Sequence, residues 1–494
     1  MTTTELGVLD YLQRAAATWP DKTAVACEAD ALTFAQLDET ARYYAALIAE
    51  RGLQGTGMPI GVYANRGVEC IVGFMAVLYS GNFYLALDPD LPEHKLNLIL
   101  EDSAAPLFLG AAGLEVAGPL DIEIEAAAKQ GPGMQAPQVA PRAPLCLIYT
   151  SGSTGKPKGV LKSHGAMCAF IEAFIAEFGL GSDEVIGNQT PFFFDASAKD
   201  LYLMLAAGCT MEIIPATKFV LPVTLIEYLN ERKITYACWV PTAFAIVTQL
   251  NTFKAIMPTT LRRVLFVGEV FPIKQLAKWI EALPQLEYVN LYGSTETAGI
   301  CCYHRIDTSH PLPDPLPLGK PLPMCNVTLV GEDGTAVTQP GVIGEIYISS
   351  PTLADCYFND PEKTAERFSG EGAERVLHTG DLARYDEDGN LVFASRSDYQ
   401  IKLQGRRIEL GEIEAVADSL DCIQRCACVF DEAKKKIVLF AELVEGSTDN
   451  QKSIRAAMRE RTSDYMVPGK VVILDTLPYN ANGKISRPAL QELL

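Results

Sequence analysis

No apolar run in the chain approaches the roughly 20 residues that a membrane-spanning helix requires, so the sequence reads as one without a transmembrane helix. The opening Met1-Thr2-Thr3-Thr4-Glu5-Leu6 lacks the basic and apolar stretches of a secretory leader, and the expected compartment is the cytoplasm. Basic residues are scarce beside acidic ones: 41 Lys and Arg against 61 Asp and Glu leave a formal net charge of −20. A nucleic-acid partner needs a basic surface against its phosphates, so that partner class is set aside. Clustered cysteine is scarce too. The 13 cysteines are odd in number and scattered, mostly within apolar runs such as Cys70-Ile71-Val72, as reduced core residues are. Cys422, Cys426 and Cys428 stand close together, as do Cys301 and Cys302, but no histidine or second pair at ligand spacing accompanies them, which argues against zinc.

What is present centres on Tyr149-Thr150-Ser151-Gly152-Ser153-Thr154-Gly155-Lys156-Pro157-Lys158-Gly159-Val160. Glycines let a backbone approach an anion, and the hydroxyls of Thr150, Ser151, Ser153 and Thr154 suit phosphate oxygens or a hydrated magnesium ion. This is a phosphate loop by its chemistry. It is not a Walker A loop, because Pro157 stands where that motif has Ser or Thr after its lysine.

At 494 residues the chain is long enough for two to four domains of ~100–200 residues. Up to about residue 310 it alternates between strand and helix patterns, including strands at Pro59–Tyr63 and Tyr84–Leu87 and helices at Glu69–Tyr79 and Ala166–Phe178. That rhythm predicts two consecutive doubly wound βα units, with parallel sheets covered by helices. After Pro311, short strands and turn signals predict a β-rich subdomain. The last hundred residues read as a separate small α+β domain, with Lys434-Lys435-Lys436 as a solvated turn. The fold class is therefore α/β, with a large N-terminal domain over 1–397 and a small C-terminal domain over 398–494.

Further segments carry residue types that a plain core would waste. Asn290-Leu291-Tyr292-Gly293-Ser294-Thr295-Glu296-Thr297, placed after a strand, offers an amide, an aromatic ring and a carboxylate. Such a set suits purine recognition with Glu296 on magnesium, although a polar strand-end loop has the same composition. His378-Thr379-Gly380-Asp381 reads as a strand end whose carboxylate suits ribose hydroxyls. Ser395 to Glu414 is dense in paired charge around a Gly405 turn, and Asn480-Ala481-Asn482-Gly483-Lys484 presents one lysine on a loop near the C-terminus.

In this order, with Leu87-Asp88-Pro89, Phe194-Asp195-Ala196-Ser197 and Gly344-Glu345, these segments resemble the adenylate-forming superfamily over nearly the whole chain. The likeness is greatest to the amino-acid adenylation domains of nonribosomal peptide synthetases and to D-alanine:carrier-protein ligases. It implies that Thr150, Ser151, Gly152, Ser153, Thr154, Gly155, Lys156 and Lys158 hold the ATP triphosphate. It places Asn290 and Tyr292 on adenine with Gly293, Ser294 and Thr295 beside them, Glu296 on Mg2+, Asp381 on the ribose and Arg396 near ribose and phosphates. Catalysis would rest on Lys484, with Glu296 and Thr150, and Lys484 would bridge the substrate carboxylate and the α-phosphate. A mobile C-terminal domain would turn about a hinge at Asp398, exchanging Lys484 for the Gly405 region. The sequence departs from the family pattern at Ser294, Cys356 and Phe393, which stand in place of the usual Pro, Gly and Tyr.

The resemblance implies that Asp195 pairs with a substrate α-ammonium and that Ala196, Lys199, Cys238, Leu265, Val267, Leu291, Gly299 and Ile300 line the side-chain pocket. A buried Lys199 needs an anionic partner. An acidic substrate side chain would supply it, glutamate first and aspartate or glutamine next; Asp200 or another protein carboxylate is the competing partner. D-alanine or another small amino acid is the next expectation. No carrier segment follows Lys484, so the expected enzyme is free-standing and loads the phosphopantetheine thiol of a separate carrier protein. The other readings are an acyl- or aryl-CoA ligase and a catalytically silent nucleotide-binding module.

Overall fold

The computed structural model describes residues 7–131, 133–151, 156–396, 400–478 and 485–494. The chain divides into two compact units. The first comprises Met1–Pro89, Ala104–Ile148 and Gly159–Ser397; the second comprises Asp90–Ser103, Tyr149–Lys158 and Asp398–Leu494.

The strand and helix alternation produces two largely parallel sheets. One has seven strands in the order Cys356–Tyr357, Lys158–Ser163, Pro144–Thr150, Phe83–Leu87, Pro59–Tyr63, Phe108–Ala111 and Ile122–Ile124. Pro59–Tyr63 and Phe83–Leu87 are buried at every position, which is why they read as unbroken apolar runs rather than alternating ones. The other sheet has nine strands, with Glu287–Tyr292, Arg263–Val267, Tyr236–Trp239, Val185–Asn188 and Thr210–Ile213 in parallel at its centre. The two units of alternation are not strictly consecutive. Thr23–Cys27 pairs with Thr210–Ile213, so the N-terminal strand completes the second sheet.

Local signals set the helix ends. Thr33 caps helix Phe34–Glu50 in a reciprocal box with Gln36, whose N–H donates to Thr33 Oγ1 at 3.2 Å. Ser163 caps helix His164–Phe178, which ends on Gly179 at φ 59°. After residue 311 the β-rich expectation is met by an antiparallel sheet of Asn326–Val330, Gly344–Ser349, Val376–Tyr385 and Leu391–Arg396 with two short edge strands.

In the second unit a three-stranded sheet of Ile423–Asp431, Lys436–Leu443 and Lys470–Ile473 packs with helices Leu410–Asp418 and Gln451–Arg459. Lys434 and Lys435 occupy the exposed turn between the first two strands. Helix Glu93–Ser103 was not anticipated from the sequence; it places Lys95 Nζ 2.6 Å from Glu412 Oε1, both buried. All 13 cysteines are free. Among the described residues no group of three or more His, Cys, Asp or Glu side chains could hold a metal ion, and no helix is long and apolar enough to cross a membrane.

Candidate functional site

In the first unit one carboxylate organises the proposed nucleotide residues. Asp381 accepts from the Tyr292 hydroxyl at 2.5 Å through Oδ2 and pairs through Oδ1 with Arg396 Nη1. Arg396 Nη2 also reaches Thr379 O at 3.2 Å. Burial and the Asp381 charge hold the Tyr292 phenol well above its ordinary pKa, so it stays a donor. Two placements are corrected. Asp381 lies inside the ten-residue strand Val376–Tyr385 rather than at its end, and Asn290 and Tyr292 belong to strand Glu287–Tyr292 rather than following it. The strands carry these groups because antiparallel pairing sets Asp381 directly opposite Arg396. Asn290 Nδ2 donates to Pro317 O at 2.7 Å, so one amide hydrogen is already committed to backbone.

Beyond Tyr292 the chain turns sharply through Gly293. A Cβ there would lie 1.8 Å from Gly299 O, a backbone atom with no freedom to step aside. Gly293→Ala is therefore expected to destabilise the first unit by about 1–3 kcal/mol, to be read from its thermal unfolding midpoint. The turn sets Glu296 in a short 3-10 helix, 3% exposed, with Tyr357 OH donating to its Oε1 at 2.6 Å. The Ser294 N–H donates to Thr297 Oγ1 at 3.1 Å and closes the turn.

Close to Glu296 lies a residue that sequence reasoning missed. Lys162, in strand Lys158–Ser163, is fully buried and pairs with Asp195 Oδ1. Burial pushes its ammonium down to about 8, against the pull of Cys146 and Glu296. The available signal was a lysine one step beyond Val160-Leu161 in a strand facing the core. Asp195 immediately precedes helix Ala196–Ala207 and makes no cap hydrogen bond, so its carboxylate is not spent on the helix.

The pocket residues are brought together in part. Cys238 sits opposite Leu265, and Val267 opposite Leu291, on neighbouring strands of the nine-stranded sheet. These four and Ile300 belong to one core cluster, while Ala237, Trp239, Val264 and Phe266 pack on the other face. Gly299, at φ 134°, abuts the Phe170 ring, and Ala196 opens the Asp195 helix half-buried. Lys199 corrects the expectation that it awaits an anionic ligand. Its ammonium pairs with Asp200 and lies 3.3 Å from the Tyr236 hydroxyl, and Asp200 also accepts from Asn188 at 3.1 Å. Burial, the largest single effect, disfavours the charged lysine, but Asp200 and Cys238 beside it together outweigh burial and hold Lys199 above its ordinary pKa.

The phosphate-loop residues of the second unit are held by that unit's own hairpin. Ser151 Oγ donates to Arg407 O at 2.8 Å, and Lys158 Nζ lies 2.9 Å from Glu409 Oε1, which Gln400 also contacts at 2.6 Å. Thr150 Oγ1 faces Lys158 O at 3.5 Å, and Lys156 is exposed. Gly152, Ser153, Thr154, Gly155, Asp398 and Lys484 lie outside the described residues.

Comparison with known proteins matches residues 12–358 to the AMP-binding enzyme family and residues 412–484 to the AMP-binding enzyme C-terminal domain. The L-proline--[L-prolyl-carrier protein] ligase of Streptomyces coelicolor is 33% identical, covering 92% of this chain and 91% of that protein. One plipastatin synthase subunit of Bacillus subtilis is 31% identical over 97% of this chain, which spans only 19% of that protein's length. The crystal structure of IdnL1 superposes with a TM-score of 0.82 at 28% identity, covering 95% of this chain and 98% of that one.

Proposed function

Because the chain belongs to the AMP-binding enzyme family, we propose that it activates an amino acid as its aminoacyl-adenylate, releasing pyrophosphate from ATP, and transfers it to the phosphopantetheine thiol of a separate carrier protein. The observation that carries the reading is the Tyr292–Asp381–Arg396 constellation, a buried carboxylate steadied by a phenol and a guanidinium where the ribose is expected. The near-complete match to a carrier-protein ligase supports the thiol acceptor. Residues 1–397 would bind ATP and the amino acid, and 398–494 would supply Lys484. A fixed ammonium there would stabilise charge that develops as the carboxylate attacks the α-phosphorus. Magnesium suits Glu296, since Mg2+ is held by one or two carboxylates together with substrate phosphates rather than by an all-protein cage. When bound it would neutralise phosphate charge.

Glutamate loses its physical support, because Asp200 already supplies the anion that Lys199 requires. The remaining lining, Cys238, Leu265, Val267, Leu291 and Ile300, is apolar and buried, and favours a neutral side chain of small or moderate size. ATP–pyrophosphate exchange across L- and D-amino acids, aryl acids and fatty acids tests the reading. Exchange is expected with a neutral amino acid and is expected to fall about 100-fold or more in Lys484→Ala. Exchange only with aryl or fatty acids, followed by thioester formation with CoA, would replace it by the CoA-ligase reading. No exchange with any acid would leave the silent module.

A further inference from the structure

We propose that Lys162 is a specificity-determining residue which, by neutralising Asp195 from behind, lets the site accept an α-hydroxy acid as well as the matching α-amino acid; this rests on the adenylation reading above. The geometry is confined to the first unit. Lys162 projects from strand Lys158–Ser163 with its side chain 0% exposed, whereas the Asp195 side chain is 10% exposed. A fully enclosed ammonium has no surface to offer a substrate, so the direct contact with the substrate is left to Asp195. Asp195 spends Oδ1 on Lys162. Its Oδ2 is neither enclosed nor hydrogen-bonded among the described residues, which leaves that oxygen as the open acceptor.

An ionised carboxylate in so sheltered a place strongly demands a cation, and a substrate lacking one would leave it uncompensated. Lys162 removes the demand by supplying the cation internally. The substrate's α-substituent then needs only to donate a hydrogen bond to Oδ2, which a hydroxyl does as an ammonium does. A site that relied on the substrate for the counter-charge would instead reject the hydroxy acid by about 10²–10³-fold or more.

The test uses ATP–pyrophosphate exchange with the best amino acid and its α-hydroxy counterpart, on the full chain and on Lys162→Met and Lys162→Gln. In the unsubstituted enzyme the ratio of kcat/KM values, amino over hydroxy, is expected below about 100. Lys162→Met strips the internal cation and is expected to raise that ratio at least about tenfold, mainly through KM of the hydroxy acid. Lys162→Gln keeps a neutral donor toward Asp195 Oδ1 and is expected to move the ratio in the same direction, carrying the comparison should the methionine variant not fold. A ratio above about 100 in the unsubstituted enzyme, or one unchanged in variants that still exchange, would overturn the proposal and leave adenylation standing. Absence of exchange with every acid would overturn the adenylation reading, and the proposal with it.

Discussion

Lys199→Leu is expected to lower the stability of the protein by about 3–5 kcal/mol while leaving its amino-acid preference in place. The side chains of Lys199 and Asp200 are 3% and 1% exposed and form one ion pair, with the Tyr236 hydroxyl and the Asn188 amide around it. Removing the lysine leaves a buried carboxylate whose remaining donor among the described residues is Asn188 Nδ2, and the cost is that of an uncompensated charge rather than of a lost contact. Changing both partners, Lys199→Leu with Asp200→Asn, is expected to recover most of the loss, because the uncompensated charge disappears with its partner. Denaturant unfolding of the two variants checks the pattern, and pyrophosphate exchange with the amino-acid panel checks the preference. A stable Lys199→Leu protein whose preferred substrate changes from an acidic to an apolar amino acid would restore Lys199 as a ligand for the substrate.

That outcome shows which parts of the site a sequence can reveal. The Tyr292 to Glu296 turn was legible because its residue types have few uses in a core: a glycine and then a carboxylate after an aromatic ring. Gly293 is required by a backbone carbonyl at its absent Cβ, a constraint that leaves its mark on the sequence. Sheet alternation was legible because buried parallel strands such as Pro59–Tyr63 have nothing but apolar residues to show. Pairings between distant residues were not. Lys162 meets Asp195 across 33 residues and Lys95 meets Glu412 across 317, and a lone lysine among apolar neighbours looks the same whether its partner is protein or ligand. Nor was the place of Thr23–Cys27 beside Thr210–Ile213, because strand order depends on which edge is open, not on the strand's own residues. His378 to Asp381 reads as a strand end, yet Gly380, at φ 74°, sits within the strand, near the register shift between Glu345 and Tyr347 on the partner strand.

Asp381→Asn is expected to raise the KM for ATP by about 100-fold, with a smaller fall in kcat. An ionised carboxylate offers about four lone-pair positions. Tyr292 takes one on Oδ2 and Arg396 one on Oδ1, which leaves acceptor capacity on both oxygens for a pair of vicinal hydroxyls. Asparagine preserves the shape but presents an amide where one hydroxyl would donate, and it gives up two charge-assisted hydrogen bonds of about 1.5–3 kcal/mol each. Arg396, whose side chain is 11% exposed, also loses its carboxylate while keeping Thr379 O. Tyr292→Phe removes only the phenol that steadies Oδ2 and is expected to cost about tenfold or less in the same constant. Steady-state exchange at varied ATP, with calorimetric titration of ATP into each variant, separates binding from turnover. An ATP affinity unchanged in Asp381→Asn would remove the carboxylate from the nucleotide site and reduce the Tyr292–Asp381–Arg396 constellation to a structural brace among three strands.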